Sequence, residues 1–203
     1  MNSMQKNRQM IRRLAVTAIL AALVIILQMI ATFLPIGSVS ITLSLIPIVL
    51  GAVLYGPAIG AFLGLVLGVI VLAIDPTAQS MMFLGGADNF WPAVVTVLLC
   101  LIKSTAAGFV SGLLARMMQK ANHPRLAVVL ASIACPTVNS GIFAIFVPIF
   151  FYDMIAGWAP AASNVISFFL LMVVGFNYLL ELTFNLVLTP TVLRVIAIIK
   201  KKL

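Results

Sequence analysis

Acidic residues are almost absent from this chain. Its 203 residues include four, Asp75, Asp88, Asp153 and Glu181, against twelve Lys and Arg and a single His. Only 8% of the residues are charged and 64% are hydrophobic, which excludes an ordinary soluble domain, where about a quarter are charged. His123 and the isolated Cys100 and Cys135 have no metal-ligand spacing, so no metal or cofactor is expected and the cysteines read as small core residues. No His-Glu-x-x-His, Gly-x-Ser-x-Gly or phosphate-loop motif occurs. The chain therefore reads as a non-enzyme, and any ATP hydrolysis has to come from other chains.

Apolar length is what the sequence has. The uncharged runs Leu14–Leu34 and Ser38–Ile74 both exceed the roughly 18 residues that signal a membrane span. The whole chain has room for about six helices of roughly 20 residues and none for a soluble catalytic domain. The expectation is a single all-α membrane domain over residues 1–203. It is a compact bundle of six transmembrane helices, roughly 11–34, 42–54, 57–74, 93–118, 126–150 and 164–199. The basic start followed by an apolar stretch looks like a signal peptide. That stretch is too long for such a signal and has no convincing small-residue cleavage site, so it reads as a retained first helix.

Eleven of the twelve cations form three clusters: Lys6, Arg8, Arg12 and Arg13; Arg116, Lys120 and Arg125; Arg194, Lys200, Lys201 and Lys202. Cytoplasmic segments retain Lys and Arg, and all three clusters fall on one side only if the chain reverses at Tyr55-Gly56-Pro57. Both termini are then cytoplasmic. The segments Asp75–Pro92 and Phe151–Ser163 are external loops, and Pro35-Ile36-Gly37-Ser38 is a turn. The basic residues follow loop parity, which points to anionic lipid headgroups and away from nucleic acid.

One cation escapes that rule. Lys103 lies 12 residues after Trp91, roughly 18 Å along a helix at ~1.5 Å per residue, too deep to snorkel easily. Its partner is Glu181, a substrate anion or backbone carbonyls. Asn177, Glu181 and Asn185 share one face of the last helix, and Asn139 adds an amide at similar depth. Such a stripe either locks helices together or lines a pocket for a small polar ligand. Asn89, Trp91 and Trp158 bring polar and aromatic groups to the external rim, as an interfacial belt or as a lid. Gly56, Gly60, Gly64 and Gly68 recur at four-residue spacing and require a close neighbour, within the chain or on a partner. Ala18 and Ala22 form a smaller strip of the same kind.

With these motifs in order, the chain resembles the substrate-binding S component of energy-coupling factor (ECF) vitamin transporters. The likeness rests on Ala18-x-x-x-Ala22, on Leu45-Ile46-Pro47-x-x-x-Gly51 with Tyr55-Gly56-Pro57 and Gly60, and on Asn185-Leu-Val-Leu-Thr-Pro190. It implies a membrane protein that captures a vitamin from outside and delivers it through a transmembrane coupling subunit driven by two cytoplasmic ATPases. Ala18 and Ala22 would touch the coupling subunit. The vitamin would lie among the fourth to sixth helices under the external loops, with Lys103, Asn139, Asn177, Glu181, Asn89, Trp91 and Trp158 as candidate contacts.

A cation beside amides suits a small carboxylate with hydroxyl and amide groups, such as pantothenate. Riboflavin, pyridoxine-like and hydroxymethylpyrimidine substrates stay open, because Glu181 is able to pair an amine or a pyrimidine. An autonomous secondary transporter or channel is the next alternative, disfavoured by the small helix count and the missing repeated half. A ligand-free scaffold is the last.

Overall fold

The computed structural model describes residues 3–32, 42–84, 86, 90–160 and 164–201. These residues form nine α-helices: α1 (Ser3–Thr32), α2 (Leu45–Tyr55), α3 (Pro57–Ile74), α4 (Pro76–Met82), α5 (Phe90–Lys120), α6 (Pro124–Phe150), α7 (Tyr152–Trp158), α8 (Val165–Phe168) and α9 (Phe176–Lys201). A π-helical segment, Phe169–Gly175, joins α8 to α9 without a break. Five stretches are long and apolar enough to cross a membrane: Asn7–Thr32, Pro57–Ile74, Phe90–Lys120, Pro124–Phe150 and Val165–Ile198. The protein is thus multi-pass and all-helical over its described residues. The sixth expected span, α2, has 11 residues and covers ~16 Å, about half of a hydrocarbon core. It is an apolar inner helix, with Leu45, Ile48, Val49 and Ala52 almost wholly buried.

Helix limits follow local chemistry. Gly56 has φ 89°, a left-handed value that glycine adopts without penalty, and Pro57 starts α3 at a position where its missing N–H costs nothing. The chain reverses there. Ala52 packs on Gly60 and Leu63 on Gly51, pairs nearly symmetric about Gly56. At the end of α5, Asn122 is left-handed (φ 62°) and His123 N–H donates back to the Met118 carbonyl at 2.9 Å, closing the last turn.

The glycine strip of α3 is covered from within. A methyl group added at Gly60 would strike the Gly108 carbonyl, at Gly64 the Ser104 carbonyl, and at Gly68 the Cys100 carbonyl. Each step of four residues up α3 is a step of four down α5, so the two helices run antiparallel with backbones touching. This strip is not a partner surface.

Two apolar clusters stack along the bundle. One joins α1, α2, α3, α5, α6 and α9 through residues such as Val24, Ile48, Leu67, Ala107 and Ala131. The other, at the opposite end from the arginines of α1, gathers Met81, Val95, Val147, Phe151, Ile155 and Phe169. The two expected external loops hold helices α4 and α7. The predicted turn at Pro35-Ile36-Gly37-Ser38 lies outside the described residues.

Candidate ligand site

The polar stripe of the last helix faces inward. Asn177, Glu181, Asn185 and Thr189 are all buried, and they meet Ser132, Asn139 and Ser140 of α6, also buried. The Thr189 hydroxyl sits 3.1 Å from Ser132 Oγ and 2.8 Å from the Asn185 carbonyl, and Asn185 Nδ2 donates to the Glu181 carbonyl at 2.9 Å. This lower part of the stripe is spent within the fold: two of these bonds stay inside α9, and the Thr189–Ser132 bond ties α9 to α6.

The upper part opens into a recess at the junction of the two apolar clusters. Its walls carry Lys103, Asn139, Asn177 and Glu181, together with Gln28, Thr42, Asp75, Thr77, Cys100, Ser140 and Phe143. Its cavity volume is about 50 Å³. The π-helical segment shapes one wall, because Val173 and Val174 both face the recess just before Asn177. π-Helical insertions recur at functional sites.

Both carboxylates in the recess are already engaged. Glu181 Oε1 accepts from Thr42 N at 3.0 Å, and its Oε2 accepts from Ser140 Oγ at 3.1 Å. Asp75 Oδ1 accepts from Thr77 N at 2.9 Å and Ala78 N at 3.3 Å, capping α4. Gln28 Oε1 accepts from Ser44 Oγ at 2.8 Å.

Lys103 is different. Its ammonium lies 4.9 Å from the centre of the Phe143 ring, and among the described residues no carboxylate is within ion-pair distance. The ring returns about 0.5–2 kcal/mol. A lysine at the centre of a membrane helix costs about 2.5–3.5 kcal/mol, so an anion or water has to supply the difference. Asn139 and Asn177 are also unfinished, since the Oδ1 of each is buried without a hydrogen-bond partner. The groups left open are thus one cation and two amide oxygens.

The structure brings Lys103, Asn139, Asn177 and Glu181 together. Asn89 lies outside the described residues. Trp91 is 65% exposed and lines an apolar groove on the outside of α5 and α6 with Leu98, Ile102, Phe146 and Phe150; Leu99 belongs to both this groove and the recess. Trp158 lies in a shallow hollow beside α4 with Pro76, Thr77, Ser80 and Met154. Ala18 and Ala22 are exposed on α1. Sequence reasoning missed Gln28, Thr42 and Asp75. The usable signal was Asp75-Pro76-Thr77, an acid directly before a proline at a helix start.

A half-finished polar recess inside an apolar multi-pass bundle defines a class, the membrane-embedded solute-binding proteins. The chain matches the family model for the ECF transporter substrate-specific component over residues 12–193, which takes in every wall of the recess. The chain belongs to that family: it is a substrate-binding transport subunit, working in a complex with membrane and ATPase subunits. No curated protein matches the chain.

Proposed function

We propose that this subunit captures a small vitamin carboxylate from the external face of a prokaryotic cell membrane, with pantothenate the first candidate. The reading rests on Lys103, a cation within a membrane-spanning helix with no carboxylate at ion-pair distance among the described residues, beside two unpartnered amide oxygens. The ammonium takes the carboxylate, and the Asn139 and Asn177 oxygens take hydroxyl or amide N–H donors of the ligand. Amine- or pyrimidine-bearing vitamins are less well served, because both oxygens of Glu181 already have donors. Trp91 and Trp158, which line hollows outside the recess, are proposed as outer contacts on the capture route. Both termini are cytoplasmic, and the outward face of α1 with Ala18 and Ala22 meets a transmembrane coupling subunit served by two cytoplasmic ATPases.

The deciding experiment is a vitamin panel on the purified chain by calorimetry and thermal shift. Pantothenate should bind and stabilise the protein without any partner. Stabilisation by an amine vitamin instead would reassign the ligand, and silence across the panel would remove the vitamin reading. Solute flux in liposomes that contain this chain alone would favour a secondary transporter.

A further inference from the structure

A second recess lies at the basic end of the bundle, remote from the first, where the N-terminal part of α1 and the C-terminal end of α5 meet the α2–α3 reversal. Arg13, Arg116, Gln119, Tyr55, Gly56 and Pro57 line it. Among the described residues, no acidic side chain does.

Some of its polar groups serve the fold. Gln119 Nε2 donates to the Val53 carbonyl at 2.9 Å, and one Arg13 nitrogen reaches the Tyr55 carbonyl at 3.4 Å with the guanidinium 5.8 Å from the Tyr55 ring centre. These contacts finish the C-terminus of α2. Other groups are left over. Arg116 makes no hydrogen bond or ion pair among the described residues, and the Tyr55 hydroxyl is buried without a partner. The remaining guanidinium N–H groups and this hydroxyl are all able to donate, so the recess asks for an acceptor with negative charge. Exposed apolar side chains stand near Arg116 on α5: Leu113, one turn before it, and Met117, next to it.

We infer that this recess binds the phosphate of an anionic phospholipid, whose chains lie along the exposed face of α5. The charge of the arginines accounts for the headgroup, and the apolar flanks account for a lipid in place of a free phosphate. The inference does not depend on which solute fills the first recess.

The test uses the full chain in nanodiscs and in detergent, with dioleoylphosphatidylglycerol and dioleoylphosphatidylcholine as probes and native mass spectrometry as readout. Wild type should retain phosphatidylglycerol in preference to phosphatidylcholine. Arg116→Gln, which removes no fold contact, should weaken that retention by about fivefold, and adding Arg13→Gln should weaken it further. Far-ultraviolet circular dichroism of each variant checks the fold. Equal retention of the two lipids, or retention indifferent to Arg116→Gln, overturns the inference. Displacement of the lipid by millimolar inorganic phosphate assigns the recess to a free anion and also overturns it. So does a result in which Arg116→Gln abolishes association with the coupling subunit while lipid retention stays unchanged.

Discussion

Gly60 and Gly108 lie backbone against backbone: a methyl group added to either would strike the carbonyl of the other. Because α5 carries Lys103, this contact sets where the cation stands relative to α3. Gly108→Ala should lower stability by about 1–3 kcal/mol, since neither carbonyl has room to retreat. Gly141→Ala is the control, because a methyl group there meets nothing within 4 Å. Thermal melting in detergent should show a lower midpoint for the first variant and little change for the second.

Lys103→Ala should reduce vitamin affinity by at least about tenfold, the loss expected for a charge-assisted hydrogen bond. The folded fraction should hold or rise, because a cation that is costly at the depth of a membrane helix is removed. Calorimetry with circular dichroism checks both. Unchanged affinity would rule out the carboxylate contact.

Asn139→Leu and Asn177→Leu separate binding from folding. Each replaces a buried oxygen without a partner, which costs about 1–3 kcal/mol where it stands. Stability should therefore stay level or increase while ligand affinity drops. A fall in melting temperature without loss of binding would identify these amides as fold elements.

Glu181→Leu should behave in the opposite sense. The acceptors of Thr42 N and Ser140 Oγ are both lost, and the buried Thr42 N–H is left without a partner. Stability should fall by about 1–3 kcal/mol, and hydrogen exchange at the Thr42 amide should accelerate. Exchange at Thr42 equal to wild type would mean that the tether is not formed in solution.

Ala18→Leu and Ala22→Leu change side chains on the exposed face of α1. They should abolish copurification with the coupling subunit and leave vitamin binding intact. Normal copurification would place the docking face elsewhere.

The large features of this fold are written in charge and period. Three basic clusters demanded a reversal at Gly56-Pro57, and the structure has one. Four-residue spacing marked both the glycine strip and the Asn177–Glu181–Asn185 face, because a helix repeats its faces at that interval. The missing parts depend on contacts distant in sequence. Gln28 is one polar residue in a long apolar run, and nothing local says that Ser44 completes it. Thr42 matters through its contact with Glu181, 139 residues away, which nothing around it in the sequence signals. Asp75 sat in a mixed segment that read as loop, and only the folded chain makes it the cap of a seven-residue helix. The π-helical segment Phe169–Gly175 has the same apolar composition as an α-helix, so no periodic count revealed it.

Leu99 touches the polar recess on one side and the apolar groove on the other. At that point the insulation between a bound solute and the lipid tails is one side chain thick. On the proposed reading, Lys103 would act on a ligand from four residues away, next to a wall with hydrocarbon behind it, where little solvent is available to screen the field. The grip on an anion would then be set in part by how well a single leucine keeps oil and water apart.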